Sequence, residues 1–323
     1  MRIDFIKCHG SGNDFPLIDA RAIACDDATW AGVARALSDR AGPVGSDGIL
    51  LLTDGDIGNN NTPGDFGMRM FNADGSEAET CLNGLRCVGR LGLELAAGGV
   101  GAGDVARVAL TTATATVART EPLADGVHTM LEIAGPASLD VAAWPLHGAG
   151  ARIVAAPIAA LGSARRFTAV AMPNPHLVAL VDAIDERELV AIGAACEAAP
   201  AWLPNRANVS FVEVRGDALF VRTFERGVGL TDSCGSAMAA ATVAAALAGR
   251  IAFDRDIAVR NRGGMVRVRT DRAGMVSMAG NATWDWAGTV TVDPARGVAQ
   301  DLVVTRTFDA ERAAWARLVA DLG

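Results

Sequence analysis

Two stretches of this chain follow one pattern, and that repetition constrains the fold more than any other feature. In the first, the alternating run "MRMF" ends at Phe71 and Cys81 follows ten positions later; in the second, "VRTF" ends at Phe224 and Cys234 follows ten positions later. A polar, glycine-containing loop separates Phe from Cys in both, closing on Thr80 or Ser233. Each cysteine then opens a stretch of helical character, with Asn83 and Gly84 close behind the first and Ser236 and Ala237 behind the second. Upstream, "GSGNDF" (10–15) is echoed by "MPNPHL" (172–177), each setting an asparagine in a turn marked by Gly or Pro. The pattern predicts a duplicated half with one thiol per half.

The elements around the repeat follow from periodicity. Short alternating runs separated by Gly and Asp turns predict strands at "RIDFIK", "GILLLT", "MRMFN", "RVALTTATATVAR", "HTMLEIA", "FTAVAM", "VSFVEV" and "ALFVRTF". Helical periodicity is confined to 28–40, 81–97, 185–198, 234–249 and 309–322. Many strands with few helices indicate an α+β fold rather than a regular βαβ alternation. A chain of 323 residues suffices for about two domains, each with its own core. The loops at 54–65 and 96–104 read as surface excursions.

Composition removes several function classes. A net charge of -8 argues against nucleic acid, whose phosphates call for an excess of Lys and Arg. No apolar run reaches membrane-spanning length, and the opening residues lack the apolar core of an export signal. Six cysteines without CxxC or zinc-ligand spacing read as reduced thiols, so the expected location is the cytoplasm and no metal is expected. Lys7 is the single lysine, and it lies in a strand-like segment. A pyridoxal phosphate enzyme needs a lysine for its Schiff base, so that cofactor is not expected.

A cysteine at a helix start meets the positive end of the helix dipole and unsatisfied N–H groups, which favour a thiolate and can also hold a carboxylate. Two such ends facing each other would put a thiol on each side of a bound amino acid. One thiolate could then remove the Cα proton while the other thiol supplies a proton to the opposite face. Cys87 fits no such role: six helical residues turn about 600°, which points it about 120° away from Cys81. Cys87, Cys25 and Cys196 read as small apolar filler, as does Cys8 beside the "HGSGNDF" stretch. His176 shares its turn with Asn174 and suggests an orienting role.

With these motifs in order, the chain resembles the diaminopimelate epimerases, cofactor-independent enzymes of lysine and peptidoglycan synthesis. "HGSGNDF", "FNADGSE", "CLNGLRC", "MPNPH", "NRANVSF" and "FERGVGLTDSCGSA" carry the resemblance, which runs from residue 9 to about 237 and continues in the strands to about 292. It implies two pseudo-symmetric domains, each a β-sheet wrapped around a central helix, with the active site in the interdomain cleft. The expected N-terminal domain spans 1–135 and is completed by 286–292, with "GTVTV" (288–292) as its returning strand. The C-terminal domain spans 136–285, and 293–323 is an extension. The resemblance makes Cys81 and Cys234 the catalytic pair for epimerising LL- to meso-diaminopimelate. It makes Asn13, Asn72, Asn174, Asn208, Glu225 and Arg226 substrate-binding side chains. The N–H groups of Leu82, Asn83, Gly235 and Ser236 would hold the carboxylate at the reacting carbon. A turn asparagine read by itself more often serves backbone conformation, and only the resemblance gives these four a substrate.

The chain departs from the family pattern at Leu82, Pro173 and Ala237, where Gly is usual, and at Leu230, where Glu is usual. These changes leave the thiol pair intact and alter its surroundings. Two alternatives therefore stand beside epimerisation of diaminopimelate: a related racemase of another amino acid, and a thiol redox or non-catalytic binding protein using Cys81 and Cys87, which the missing CxxC spacing disfavours. The expected partner is a small amino acid, with a homodimer left open. In the tail, Phe308, Trp315, Leu318, Val319 and Leu322 fall along one helical stripe suited to packing on the body of the protein or on a second subunit.

Overall fold

The computed structural model describes the chain apart from residues 58–62, 79–80, 97–103, 145, 149, 173 and 323. Two compact units emerge: Met1–Glu132 with Ala279–Asp321, and Ile133–Met278. The first unit runs β1 (Arg2–Gly10), β2 (Asn13–Asp19), α1 (Asp27–Ser38), β3 (Gly48–Thr53), β4 (Phe66–Asn72), the two-residue β5 (Glu77–Ala78), α2 (Leu82–Ala96), β6 (Val105–Ala109) and β7 (Thr114–Arg119). The chain passes to the second unit within β8 (Thr129–Ala134). There it forms β9 (Ala156–Pro157), β10 (Arg166–Ala171), β11 (Pro175–Leu180), α3 (Glu186–Glu197), β12 (Asn208–Arg215), β13 (Ala218–Glu225), β14 (Gly229–Thr231), α4 (Gly235–Leu247), β15 (Ile257–Asn261) and β16 (Gly264–Thr270). It returns within β17 (Val276–Asn281) and ends in β18 (Thr283–Asp293), β19 (Val298–Thr307) and α5 (Asp309–Ala320).

The duplication read from the cysteines extends to the strand pairing. In the first unit β1 and β2 are antiparallel, β2 and β3 parallel, β3 and β4 antiparallel, β4 and β6 parallel, and β6 and β7 antiparallel. The second unit repeats that order with β10, β11, β12, β13, β15 and β16. Helix α2 packs against all six strands of its set, and α4 against all six of the other. Each unit is therefore a sheet wrapped around one central helix.

The sequences of the two central helices explain their position. A helix surrounded by strands is apolar or small on most sides and must pair any polar group it buries. In α4 every residue from Gly235 to Ala246 except Ser236 is buried, and most are alanine, which lets strands approach closely. In α2 every residue from Leu82 to Leu93 is buried, and glycines do the same work. A Cβ at Gly92 would stand 2.3 Å from the Phe66 ring, so only glycine lets β4 lie so near. Strand β3, "GILLLT", serves two layers at once and is apolar throughout. Ile49 and Leu51 join the cluster under α1, while Leu50 meets α2 beside Gly84.

The outer helices cover the opposite sheet faces. Asp26 caps α1 by accepting the Thr29 N–H at 2.8 Å, and Asp185 caps α3 by accepting those of Arg187 and Glu188. Leu189, Ile192 and Cys196 of α3 pack on Phe167, Leu177, Val209 and Phe211. The chain's last part differs from the expectation of a helix alone. A ten-residue strand, β19, pairs antiparallel with β18 before α5 begins. β18 in turn pairs with β1 over Arg2–His9.

Candidate functional site

The first half-site is built where β1 turns into β2 and where α2 begins. Cys81 stands immediately before α2, and its carbonyl accepts the first helical N–H, from Leu85, at 2.8 Å. Its Sγ accepts the Gly84 N–H at 3.3 Å and donates toward Asn13 Oδ1 at 3.7 Å. The thiol thus lies among the unsatisfied N–H groups of the helix end. Asn13 Oδ1 also accepts from Asn83 Nδ2 at 3.4 Å, and Asn13 Nδ2 donates to Asp47 Oδ2 at 2.6 Å. Asn13, Cys81 and Asn83 are therefore brought together. Asn72 sits at the end of β4, donating to Ser76 Oγ at 3.0 Å within its own turn. Leu82 is buried at the first helical position.

Charged groups support this half-site from below. Arg40 bridges Asp14 and Asp47, and Lys7, the single lysine, pairs with Asp14 in a buried position. Burial alone would raise Asp14, yet Arg40 and Lys7 hold it below its usual range. Arg86, fully buried in α2, donates to Glu132 Oε1, Asn83 Oδ1, Ser11 Oγ and the Asn281 carbonyl. Burial pushes Glu132 up to about 7 against the pull of Arg86. Asp47, Arg86 and Asn281 were not foreseen as site residues. A buried arginine inside "CLNGLRC" was the one legible signal, since charge on an all-round buried helix requires a partner.

The second half-site repeats the arrangement with different chemistry. Cys234 is the N-cap of α4, and its carbonyl accepts the Met238 N–H at 3.1 Å. Its thiol is buried and lies 3.5 Å from Ser236 Oγ. Burial pushes this thiol well above its ordinary value and the Glu225 carboxylate adds to the rise, against hydrogen bonds from Ser236 and the Ala237 N–H. Glu225 closes β13 and accepts from Thr231 Oγ1 at 2.5 Å. Asn174 and Asn208 meet at His176, whose Nε2 lies 3.0 Å from Asn174 Oδ1 and 3.4 Å from Asn208 Nδ2. Asn208 Oδ1 accepts the Arg226 backbone N–H at 2.7 Å, and the Arg226 guanidinium donates to the Asn205 carbonyl. Burial holds His176 neutral, with its value lowered to about 3. Pro173 lies outside the described residues.

Of the remaining thiols, Cys8, Cys87 and Cys196 are buried filler, and Cys25 is partly buried against the cluster under α1. Cys8 and Cys87 are fully buried and in contact with each other, and burial pushes Cys8 well up. Cys196 is buried, its thiol pushed up to about 12. Among the described residues no cluster of His, Cys, Asp and Glu could hold a metal ion.

The family model described as diaminopimelate epimerase matches residues 5–109 and 168–284, more than half of the chain and both cysteine motifs. The chain belongs to the diaminopimelate epimerase family. It is 38% identical over 320 residues to the diaminopimelate epimerase of Clostridium acetobutylicum, covering 96% of this chain and 92% of that one. It is 34% identical over 320 residues to that of Enterococcus faecalis, covering 95% of each. A solved structure of a predicted epimerase from Pseudomonas aeruginosa shares the fold with a TM-score of 0.63 at 17% identity, over 88% of this chain and 98% of that one. The chain is accordingly an isomerase of the amino-acid epimerase class. The family match ends at residue 284, within β18, so β19 and α5 lie beyond it. No helix among the described residues is long and apolar enough to cross a membrane.

Proposed function

We propose that this epimerase converts LL-diaminopimelate to the meso isomer without a cofactor, using Cys81 and Cys234 as a two-base pair. One thiolate takes the Cα proton as the C–H bond breaks, and the electron pair passes toward the carboxylate. The N–H groups of Leu82, Asn83, Gly235 and Ser236 stabilise the charge that develops there. The other thiol then delivers its proton to the opposite face of the carbon. No electrons are gained or lost, and the two sulfurs end with their protonation states exchanged. The observation that carries this reading is the matched pair of helix starts, each with a cysteine at its N-terminal edge. Burial, helped by the Glu225 carboxylate, favours the protonated form of Cys234, which suits it to act as the proton donor in one direction. Arg226 takes the distal carboxylate, for which a planar guanidinium is the fitting group.

A second reading, a racemase of another amino acid, is favoured by one feature: Leu82 sets a branched apolar side chain directly beside Cys81. Exchange of the Cα proton in deuterated water with diaminopimelate, ornithine, histidine and O-ureidoserine separates the two. Exchange with diaminopimelate alone supports the first reading. Faster exchange with another member of the panel would replace it with the second.

A further inference from the structure

We propose that Arg86, anchored by Glu132, is the positioning residue of the first half-site. It fixes which way the Asn83 amide faces and where the Gly10–Asn13 turn lies, and through both it aligns Asn13 on the Cys81 thiol. The inference rests on the reading of Cys81 as a reacting group and names a residue behind it that touches no substrate.

The guanidinium uses its planar fork to bind four separate segments. Nη1 donates to Glu132 Oε1 of β8 at 2.7 Å, and Nε donates to the Asn281 carbonyl at the end of β17 at 3.1 Å. Nη2 donates to Asn83 Oδ1 in its own helix at 2.7 Å and to Ser11 Oγ in the β1–β2 turn at 3.2 Å. An asparagine amide has two faces that differ only in which end donates. Because Arg86 occupies Asn83 Oδ1, the Asn83 NH2 faces Asn13 Oδ1. Asp47 sets the other end of the same relay by accepting from Asn13 Nδ2. Asn13 therefore presents its oxygen to Cys81 because a cation and an anion, one at each end, leave no other orientation.

The backbone around the guanidinium is shaped to admit it. A Cβ at Gly280 would stand 2.6 Å from Arg86 Nε, and one at Gly10 would stand 3.0 Å from Nη2 and 2.6 Å from the Asn83 carbonyl. Ser11 holds a left-handed conformation, φ 54°, that a side-chain-bearing residue adopts only at a cost. It is kept there by the bond from Arg86 and by its own N–H to Asn281 Oδ1 at 2.7 Å. Stability does not call for this buried pair. Well-packed apolar residues of similar volume are often as stable or more so, whereas loss of one partner is costly. Two of the pair's three remaining bonds lead to the turn and the helix start, and the third holds the Asn281 backbone, whose side chain bonds the same turn; alignment accounts for that arrangement.

The test follows from that contrast. The double variant Arg86→Met/Glu132→Leu removes the pair without leaving an unpaired charge. Gly280→Ala keeps every group but pushes the guanidinium from its slot. Each is assayed with diaminopimelate for kcat and KM. Iodoacetamide alkylation of Cys81 and Cys234 is followed by peptide mass, and thermal unfolding is recorded. The expected result is a cooperative fold with kcat lowered about 100-fold in the double variant, since displacements of about an ångström cost that much. KM should change far less, and Cys81 alkylation should change while Cys234 alkylation does not. Gly280→Ala should show the same split to a smaller degree. A folded variant of either kind with parental kcat and parental Cys81 alkylation overturns the proposal. So does a double variant that cannot fold while Gly280→Ala keeps full turnover, which would make the pair a structural device. Should the unaltered protein act on another amino acid only, the substrate reading fails, yet the alkylation comparison still decides the role of Arg86.

Discussion

At Cys234, burial and the Glu225 carboxylate together hold a proton on sulfur, while Ser236 and the Ala237 N–H oppose them. Cys87 differs in having nothing to react with: it is fully buried against Cys8. Alanine at Cys81 or Cys234 should therefore abolish turnover, while Cys87→Ala should keep most of it, as steady-state assays of folded protein will show. Equal loss in Cys87→Ala would contradict the pairing of Cys81 with Cys234. His176 permits a second expectation, about pH. Its value falls from the ordinary 6.5 to about 3 on burial. Between those values the unfolded chain binds a proton that the folded chain refuses, so folding stability declines as pH falls below about 6.5. Between pH 7.5 and 5 this group alone should cost about 2 kcal/mol. Urea unfolding at both pH values should show a drop smaller by about that amount in His176→Gln. An equal drop in variant and parent would mean that the imidazole is not held neutral.

At the scale of elements, all five α-helices among the described residues and the strands at "GILLLT", "VSFVEV" and "ALFVRTF" were legible, α4 and "GILLLT" from unbroken runs of small or apolar residues and the others from the period of their buried side chains. The duplicated Phe-to-Cys spacing also placed both cysteines at helix starts, where α2 and α4 begin one residue later. Strands β2 and β11 were hidden inside the asparagine-bearing turns, whose Gly and Pro residues mask the alternation that follows. Strand β19 was missed for a different reason. It is an exposed edge with Val303 and Val304 in solvent and Asp301 in a left-handed conformation, so its inward pattern is broken. In the site, the cysteines were legible from spacing, the asparagines only through the family resemblance, and Asp47 and Asn281 not at all. Their roles depend on contacts across 34 and 270 positions, which no local pattern records.

Helix α5 packs the end of the chain onto the first unit. Trp315 is buried against Val127 and Ala314 and lies 5.6 Å from the His9 ring, and Glu311 accepts from both Nη atoms of Arg90. Trp315→Ala should cost about 3 kcal/mol in denaturant unfolding while kcat per folded molecule stays nearly parental. A folded variant without turnover would show that the tail completes the site.

Across the whole molecule one fold is used twice: the same order of strand pairings surrounds α2 and α4, and each helix start presents one thiol. Chemistry confined to sulfur and hydrogen bonds should survive dialysis against EDTA and fail reversibly under mild oxidant, with dithiothreitol restoring it. Loss on EDTA with recovery on zinc would contradict that expectation. The central claim, two thiols acting on opposite faces of one carbon, is tested most directly by where deuterium appears early in the reaction. LL-diaminopimelate is incubated with the protein in deuterated water, and both isomers are examined by mass and proton resonance before a tenth is converted. The account predicts one deuterium at the inverted Cα of the meso product and unlabelled protium in the remaining substrate, because the thiol that removes the proton is not the one that returns it. Deuterium appearing equally in recovered substrate and product would mean that a single base serves both faces, and the two-thiol account would be wrong.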